Sequence, residues 1–449
     1  MDMHEQCDER FGSVHDVFAR SFASVRTTSL VVMRRLMAGL LIGGCLVAGS
    51  ASAQAQDLQP AAPEAVGLSS EGLAEATRGL QAHVDAGDIA GVVAAVARNG
   101  RLVYLESLGE LDRERGLAMR DDALFRLYSM TRPITSLAAM ILWEEDRFEL
   151  GDPVARYLPE FADQRVFADA SSPDLAATRP RRTEMTVEHL LLHTSGLGSR
   201  SSAIYRAEQV RLRSIPLPRM VGNAARVPLF EDPGTRWRYG ISTTILGRLV
   251  EIWSGTEFDA FLRERVFGPL GMTDTVFRVD ADRGDRFGPA YRPGPDGELR
   301  PYAIEAVPFT EPPALIEGGV GLVSTVRDYL RFAQMFLNGG ELDGVRILER
   351  DTVALMTANR IPDALLPIGF GTPQPGRGWT LGFSVVMDAD ASALPVREGT
   401  FWWDGSSGTR FFIDPVENMV IVIMAAASPA YGNGFREGFT EAVYRALVD

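Results

Sequence analysis

The sequence predicts an α/β (α+β) fold: an antiparallel sheet flanked by helices, built from both chain ends, with an inserted, mostly helical lobe. Three observations predict it. Runs rich in β-forming residues lie near both ends, around 90–105 and 381–425. The middle, about 151–314, alternates helical stretches with long Pro- and Gly-rich connections. No internal repeat or low-complexity tract marks separate modules, so residues 54–449 read as a single domain whose α/β part is about 65–150 and 315–449.

Taken in order, residues 1–53 read as a leader segment and not as fold. Met33-Arg34-Arg35 gives a basic start, Leu36 to Val47 an apolar run, and Ala51-Ser52-Ala53 a small-residue cleavage signal. The polar residues ahead of Met33 make that methionine a candidate true start. A signal peptide at about 33–53 predicts a periplasmic or secreted protein. The apolar run falls short of the roughly 20 residues that a membrane span needs. Ile42-Gly43-Gly44-Cys45 weakly matches a lipid-attachment signal, so a lipid anchor at Cys45 is the competing expectation. Cys7 and Cys45, the two cysteines, both lie in this leader. The processed chain is then expected to lack disulfides, a cysteine nucleophile and a thiolate metal site.

After a polar linker from Gln54 to Pro63, apolar spacing and the Ser69-Ser70-Glu71 cap predict a helix over Ser69–Ala86. Asn99-Gly100 between Ala90–Ala97 and Leu102–Leu105 predicts a hairpin. Leu127–Trp143 is apolar enough for a buried helix, and further helices are predicted at Val187–His193, Ser242–Trp253 and Phe258–Val266. Ile215–Thr235 and Asp280–Pro313 read as long connections, the kind that rim sites. Strands follow at Leu381–Met387, Thr400–Trp403, Thr409–Ile413 and Met419–Ala425, the last apolar throughout and therefore central. Gly434–Val448 predicts a closing helix. A net charge of −14 argues against nucleic acid as a partner, because phosphate binding needs basic clusters.

The chemistry concentrates at Ser129-Met130-Thr131-Arg132. Ser129 and Arg132, three apart at the head of the buried helix, share a face. Backbone N–H groups and the positive dipole end beside Ser129 favour a developing oxyanion. A mere helix cap is the bland alternative for Ser129. The neighbours decide between the two. Phe125-Arg126-Leu127-Tyr128-Ser129-Met130-Thr131-Arg132-Pro133 is followed by His189-Leu190-Leu191-Leu192-His193-Thr194-Ser195-Gly196-Leu197 and Trp237-Arg238-Tyr239-Gly240. Then come Gly318-Gly319-Val320-Gly321-Leu322 and Trp402-Trp403-Asp404-Gly405-Ser406-Ser407-Gly408. In this order the blocks resemble the serine hydrolases of the class C β-lactamase and penicillin-binding-protein superfamily, and within it the family VIII carboxylesterases.

That resemblance implies a β-lactamase/transpeptidase-like fold and a serine hydrolase that cleaves small esters through an acyl-enzyme. Ser129 would be the nucleophile and Tyr239 its proton partner. Trp403, Asp404 and Gly405 match the third motif, and Ser406 the second oxyanion donor. Arg132 stands where the motif Ser-x-x-Lys has lysine. A guanidinium stays protonated and cannot be a base, but as a fixed cation it favours the phenolate of Tyr239. Trp237, Trp402 and Trp403 are candidate walls of an apolar pocket. Tyr239-Gly240-Ile241 lacks the asparagine two residues after the tyrosine, and Trp403-Asp404-Gly405 lacks the Lys-Thr-Gly-like cation. Both departures argue against strong β-lactamase activity and for esters with no obligatory carboxylate. An amidase, D-peptidase or transacylase of the same superfamily is the alternative, as is a binding protein with no activity because of Arg132.

Other constellations are weaker. His189 and His193 share a helix face, but the intervening Glu of a His-Glu-x-x-His zinc site is missing. No Gly-x-Ser-x-Gly occurs, which disfavours an α/β-hydrolase elbow. The Gly318-Gly319-Val320-Gly321 run has no following Lys-Ser or Lys-Thr, so close packing beside the cleft is expected, not phosphate binding. No metal or organic cofactor is implied. The expected partner is a small ester or amide.

Overall fold

The structure is a computed structural model, and it describes residues 57–427 and 433–448. The expected leader, its cleavage site, Met33, Cys7 and Cys45 lie outside the described residues. No helix among the described residues is long and apolar enough to cross a membrane.

The hairpin forms as its sequence demands. Asn99 and Gly100 both take positive φ (53° and 71°), the geometry that suits an Asn-Gly turn. They join β1 (Gly91–Arg98) to β2 (Arg101–Asp112), which reaches further than predicted, and β3 (Leu117–Ala118) pairs on β2. The remaining strands come from the other end of the chain: β4 (Arg377–Trp379), β5 (Ser384–Val386), β6 (Phe401–Gly405), β7 (Thr409–Asp414) and β8 (Met419–Ala425). They make one eight-stranded sheet in the order β4-β5-β6-β7-β8-β1-β2-β3, with the named pairings antiparallel. β8 pairs with β1 from Val92↔Ala425 to Arg98↔Met419, which places it inside the sheet as its apolar run predicts.

Alternation along these central strands builds two cores. Val92, Ala94 and Val96, with Ile421 and Ile423, pack under helices α1 (Ser70–Asp85) and α8 (Phe435–Arg445) through Leu73, Leu80, Phe439 and Val443. Val93, Ala95 and Ala97, with Val420 and Val422, point the other way into a larger core. That core holds α2 (Thr131–Glu144), α5 (Ser242–Ser254) and α7 (Val326–Leu337). Burying each such aliphatic side chain contributes on the order of 1.5–3 kcal/mol, so the sheet is held from both faces.

The lobe between Gly151 and Pro313 contains α3 (Val187–Leu191), α4 (Leu217–Arg226), α5 and α6 (Phe258–Leu262). Three expectations need revision. The stretch 215–235, expected as a connection, contains α4, which begins just after Pro216 and buries Met220, Val221 and Ala224. The stretch 280–313, likewise expected as a connection, carries a small antiparallel pair, Ala290–Pro293 with Leu299–Tyr302. The buried helix starts later than Leu127: a 3₁₀ turn at Tyr128–Met130 precedes α2. Helix α7 has no counterpart in the sequence expectation, although Thr325 caps it by accepting from the Asp328 N–H.

Candidate active site

The 3₁₀ turn presents Ser129. Its predecessor Tyr128 is held in the left-handed region (φ 44°), a conformation that costs a non-glycine residue about 1 kcal/mol or more. The packing that imposes it is explicit. The Tyr128 ring is buried with Leu124, Phe309, Val320 and Val323, and the Arg200 guanidinium lies 5.3 Å from its centre. The Leu127 N–H donates to Leu322 O at 2.9 Å, and Tyr329 Oη donates to Met130 O at 2.9 Å. Ser129 is thereby turned out of the core to line a cavity of about 780 Å³.

Arg132 follows on the first turn of α2 and is buried. Its Nη1 donates to Gly240 O at 2.8 Å and to Thr243 Oγ1 at 3.1 Å, which ties α2 to the start of α5. The guanidinium carbon lies 4.2 Å from the centre of the Tyr239 ring. Among the described residues no carboxylate forms an ion pair with Arg132; Glu317 acts on it only from a distance, and its charge faces the phenol. Burial pulls its pKa down, but a guanidinium starts far enough above neutrality to remain a cation.

Tyr239 completes the group. Its phenol oxygen accepts from Trp403 Nε1 at 2.9 Å, and the Ser129 hydroxyl lies near enough to act on its ionisation. Burial pushes the phenol above its ordinary value; Arg132, the Ser129 hydroxyl and the Trp403 N–H pull it back, but less strongly. The expected cation effect is therefore present and outweighed. At neutral pH Tyr239 rests protonated.

The third motif arrives on β6. Trp403 is buried against Tyr239, with ring centres 5.2 Å apart. Gly405 has no room for a side chain: a Cβ there would stand 2.3 Å from Leu127 O and 2.3 Å from Thr409 Oγ1. This close approach seats the end of β6 against the Ser129 turn and puts Ser406 on the same cavity as Ser129. Asp404 faces sideways, taking Arg410 Nη2 at 3.1 Å with Arg436 at 3.7 Å. All seven sequence-predicted residues are thus brought together around one cavity or its wall: Ser129, Arg132, Tyr239, Trp403, Asp404, Gly405 and Ser406.

The two histidines part company. His189 belongs to a cap, its Nδ1 accepting from the Thr186 N–H at 3.1 Å. His193 is fully buried behind the site, 4.7 Å from the Tyr239 ring and 3.5 Å by Nε2 from Thr243 Oγ1. Burial, reinforced by Arg132, pushes its pKa well down and keeps it neutral. Of the expected tryptophan walls, Trp402 and Trp403 line the cavity, whereas Trp237 lies behind Tyr239 at 6.0 Å. Sequence reading misses Trp379, whose Nε1 donates to Leu191 O at 3.0 Å, and Phe370, exposed over Tyr239 at 5.2 Å. It also misses Thr243 and Arg200. None of these four stands in a recognisable spacing. The Gly318-Gly319-Val320-Gly321 segment packs closely as expected, since a Cβ on Gly318 would meet Thr135 Cγ2 at 2.7 Å and Thr243 O at 2.8 Å.

Comparison with known proteins places this geometry. Residues 76–439 match the beta-lactamase family. An uncharacterised protein of Mycobacterium tuberculosis is 38% identical over 354 residues, covering 77% of this chain and 88% of its own. Esterase EstB of Burkholderia gladioli is 33% identical over 365 residues, covering 75% of this chain and 86% of its own. Among solved structures, EstCE1, described as a hydrolase with promiscuous acyltransferase activity, superposes with a TM-score of 0.73 at 28% identity. That superposition covers 83% of this chain and 99% of EstCE1. A sheet built from both chain ends, a serine at the head of a buried helix and these matches lead to one conclusion: the chain belongs to the beta-lactamase family, in its family VIII carboxylesterase-like branch.

Proposed function

We propose that this protein is a carboxylesterase that cleaves small esters through an acyl-enzyme on Ser129. The observation that carries this is the Tyr239 phenol oxygen, held by Trp403 Nε1 at 2.9 Å, with the Ser129 hydroxyl near enough to lower its pKa and the Arg132 guanidinium 4.2 Å from its ring. Ser129 Oγ attacks the ester carbonyl carbon while its proton passes to the ionised form of Tyr239. The backbone N–H groups of Ser129 and Ser406 hold the oxyanion. As the tetrahedral adduct collapses, the C–O bond to the alcohol breaks and Tyr239 returns the proton to the leaving oxygen. Water then gives a proton to Tyr239 and attacks the acyl carbon; the acyl–Oγ bond breaks, Oγ takes the proton back from Tyr239, and the acid leaves.

Arg132 serves as electrostatic support, stabilising the phenolate on which the first step depends. Trp403 Nε1 fixes the phenol oxygen and prefers its ionised form. The test is a fluorophosphonate probe followed by peptide mass spectrometry. The adduct is expected on Ser129, and Ser129→Ala is expected to lose about 10⁴-fold in kcat. Labelling elsewhere, or hydrolysis that survives the substitution, would overturn the assignment.

A second reading has its own support: the cavity of about 780 Å³ has room for an acyl group and an alcohol acceptor together. EstCE1 is described as having acyltransferase activity as well. Partition of the acyl-enzyme between water and added alcohol, read from product ratios, separates transfer from hydrolysis.

A further inference from the structure

The chain carries a net charge of −14, yet the cavity holding Ser129 is positive. Four arginines line it, Arg132, Arg200, Arg377 and Arg410, against the two carboxylates Asp404 and Glu437. These cations are not equivalent. Arg132 is committed to Tyr239, Gly240 and Thr243. Arg410 is matched with Glu437 at 2.8 Å and Asp404 at 3.1 Å. Arg377 is buried, with Nε on Ser384 Oγ at 2.7 Å and Nη1 on Gln374.

Arg200 differs. It comes from the opposite wall, in the lobe, and is partly exposed to the cavity. Among the described residues its single side-chain hydrogen bond is from Nη1 to Glu305 Oε1 at 3.1 Å. Glu305 is already held by Arg211, which places Nη1 3.0 Å from Oε2 and Nη2 3.3 Å from Oε1. Arg211 also grips the buried Glu317 through Nε at 3.0 and 3.1 Å. Arg213 lies close enough to the same two carboxylates to feel both. Three guanidinium groups thus share two carboxylates, and the surplus positive charge surfaces at Arg200. Its guanidinium sits on the ring of Tyr128, the residue next to the nucleophile.

We infer that Arg200 is a substrate-binding residue that grips a carboxylate, so that the preferred substrates are esters carrying a free carboxylate a few bonds from the scissile carbonyl. This rests on the esterase reading of Ser129 and names its substrate class. A planar guanidinium with unused N–H donors beside an oxyanion site binds a carboxylate through charge-assisted hydrogen bonds. The cation missing from Trp403-Asp404-Gly405 on the strand wall is supplied from the facing wall, which revises the expectation that no carboxylate is required. Monoesters of short dicarboxylic acids place the anion on the acyl side. Acetyl esters of hydroxybenzoic acids place it on the alcohol side.

The experiment compares 4-nitrophenyl hemiglutarate with 4-nitrophenyl pentanoate, and 4-acetoxybenzoate with its methyl ester, on the parent, Arg200→Gln and Arg200→Lys. In at least one pair the parent is expected to favour the anion about tenfold to a hundredfold in kcat/KM. Arg200→Gln is expected to bring that ratio close to one, chiefly through KM, and Arg200→Lys to keep part of it. No preference in either pair, or a preference that survives Arg200→Gln, overturns the inference. A binding measurement keeps this separate from the catalytic reading. By calorimetry, N-phenylglutaramate is expected to bind more tightly than N-phenylpentanamide to the parent, and equally to Arg200→Gln. 4-Acetamidobenzoate and its methyl ester are compared in the same way for the alcohol side, and if the parent binds neither amide acid better than its neutral partner, the inference fails, whatever the fate of Ser129. If the anion preference in binding holds but no ester is turned over, the carboxylate site stands and the esterase reading falls.

Discussion

At the scale of the residue, the proposed mechanism places the functional weight on the ionisation of Tyr239. Burial holds this phenol above its ordinary value despite Arg132, so only a small fraction is phenolate at neutral pH. A reaction that needs the phenolate therefore speeds up as pH rises, and kcat/KM is expected to climb through the alkaline range without a plateau by about pH 9. Tyr239→Phe is expected to cost about 10²–10⁴-fold and to flatten that profile. A Phe variant with near-parental activity and an unchanged slope would remove the phenol from the mechanism. Ser129, Tyr239 and the Trp403-Asp404-Gly405 block were legible in the sequence because each sits in a spaced motif. His193 and Arg200 were not legible in these roles. One is buried at a positive φ of 56°, and the other is defined by charges on segments near 211, 305 and 317 that only folding brings together.

At the scale of the element, close contact at Gly405 seats the end of β6, and the third motif with it, against the Ser129 turn. Gly405→Ala would drive its methyl into Leu127 O and Thr409 Oγ1 and push the strand end off the Ser129 turn. The expected cost is roughly 1–3 kcal/mol of stability and about 10²-fold in kcat, out of proportion to the change in melting temperature. Paired thermal melts and ester kinetics check this; a variant as active as the parent would show that the strand end has freedom the packing denies it. Strands were easier to read here than lobe helices. β8 and the Asn99-Gly100 hairpin declare themselves by composition and turn chemistry. Helix α4 carries Pro218 in its first turn and is flanked by Pro216 and Pro228, where proline counts suggest loop, and it is stabilised by burial of Met220, Val221 and Ala224 instead. Helix α7 carried an ordinary cap and spacing and was legible in principle.

At the scale of the whole molecule, the pH dependence of stability has one unusual contributor. Asp328 on α7 is buried, and desolvation pushes its carboxyl up to about 6, against hydrogen bonds from Thr275 Oγ1 and the Asp274 N–H, both at 2.8 Å. The folded state thus holds a proton that the unfolded chain, with its carboxyl near 3.9, releases earlier. Asp328 therefore stabilises the fold relatively more below about pH 4, and that contribution fades as pH rises through about 6. Asp328→Asn is expected to remove this slope, about 3 kcal/mol across the window, so that parent and variant melting temperatures change by different amounts between pH 4 and 7. Parallel curves would place the titration elsewhere.

The pairing of β1 with β8 joins Val92 to Ala425, so the middle of the sheet closes only when nearly the whole polypeptide is present. Contacts this distant in sequence make folding slow, because a long loop must be ordered before any of them is rewarded. The Ser129 turn leans on β6 through Gly405, and only strand β7 lies between β6 and β8 in the chain. On the proposed mechanism, reactivity at Ser129 is therefore a late event in the life of each molecule, silent while the chain is still emerging and acquired only at completion.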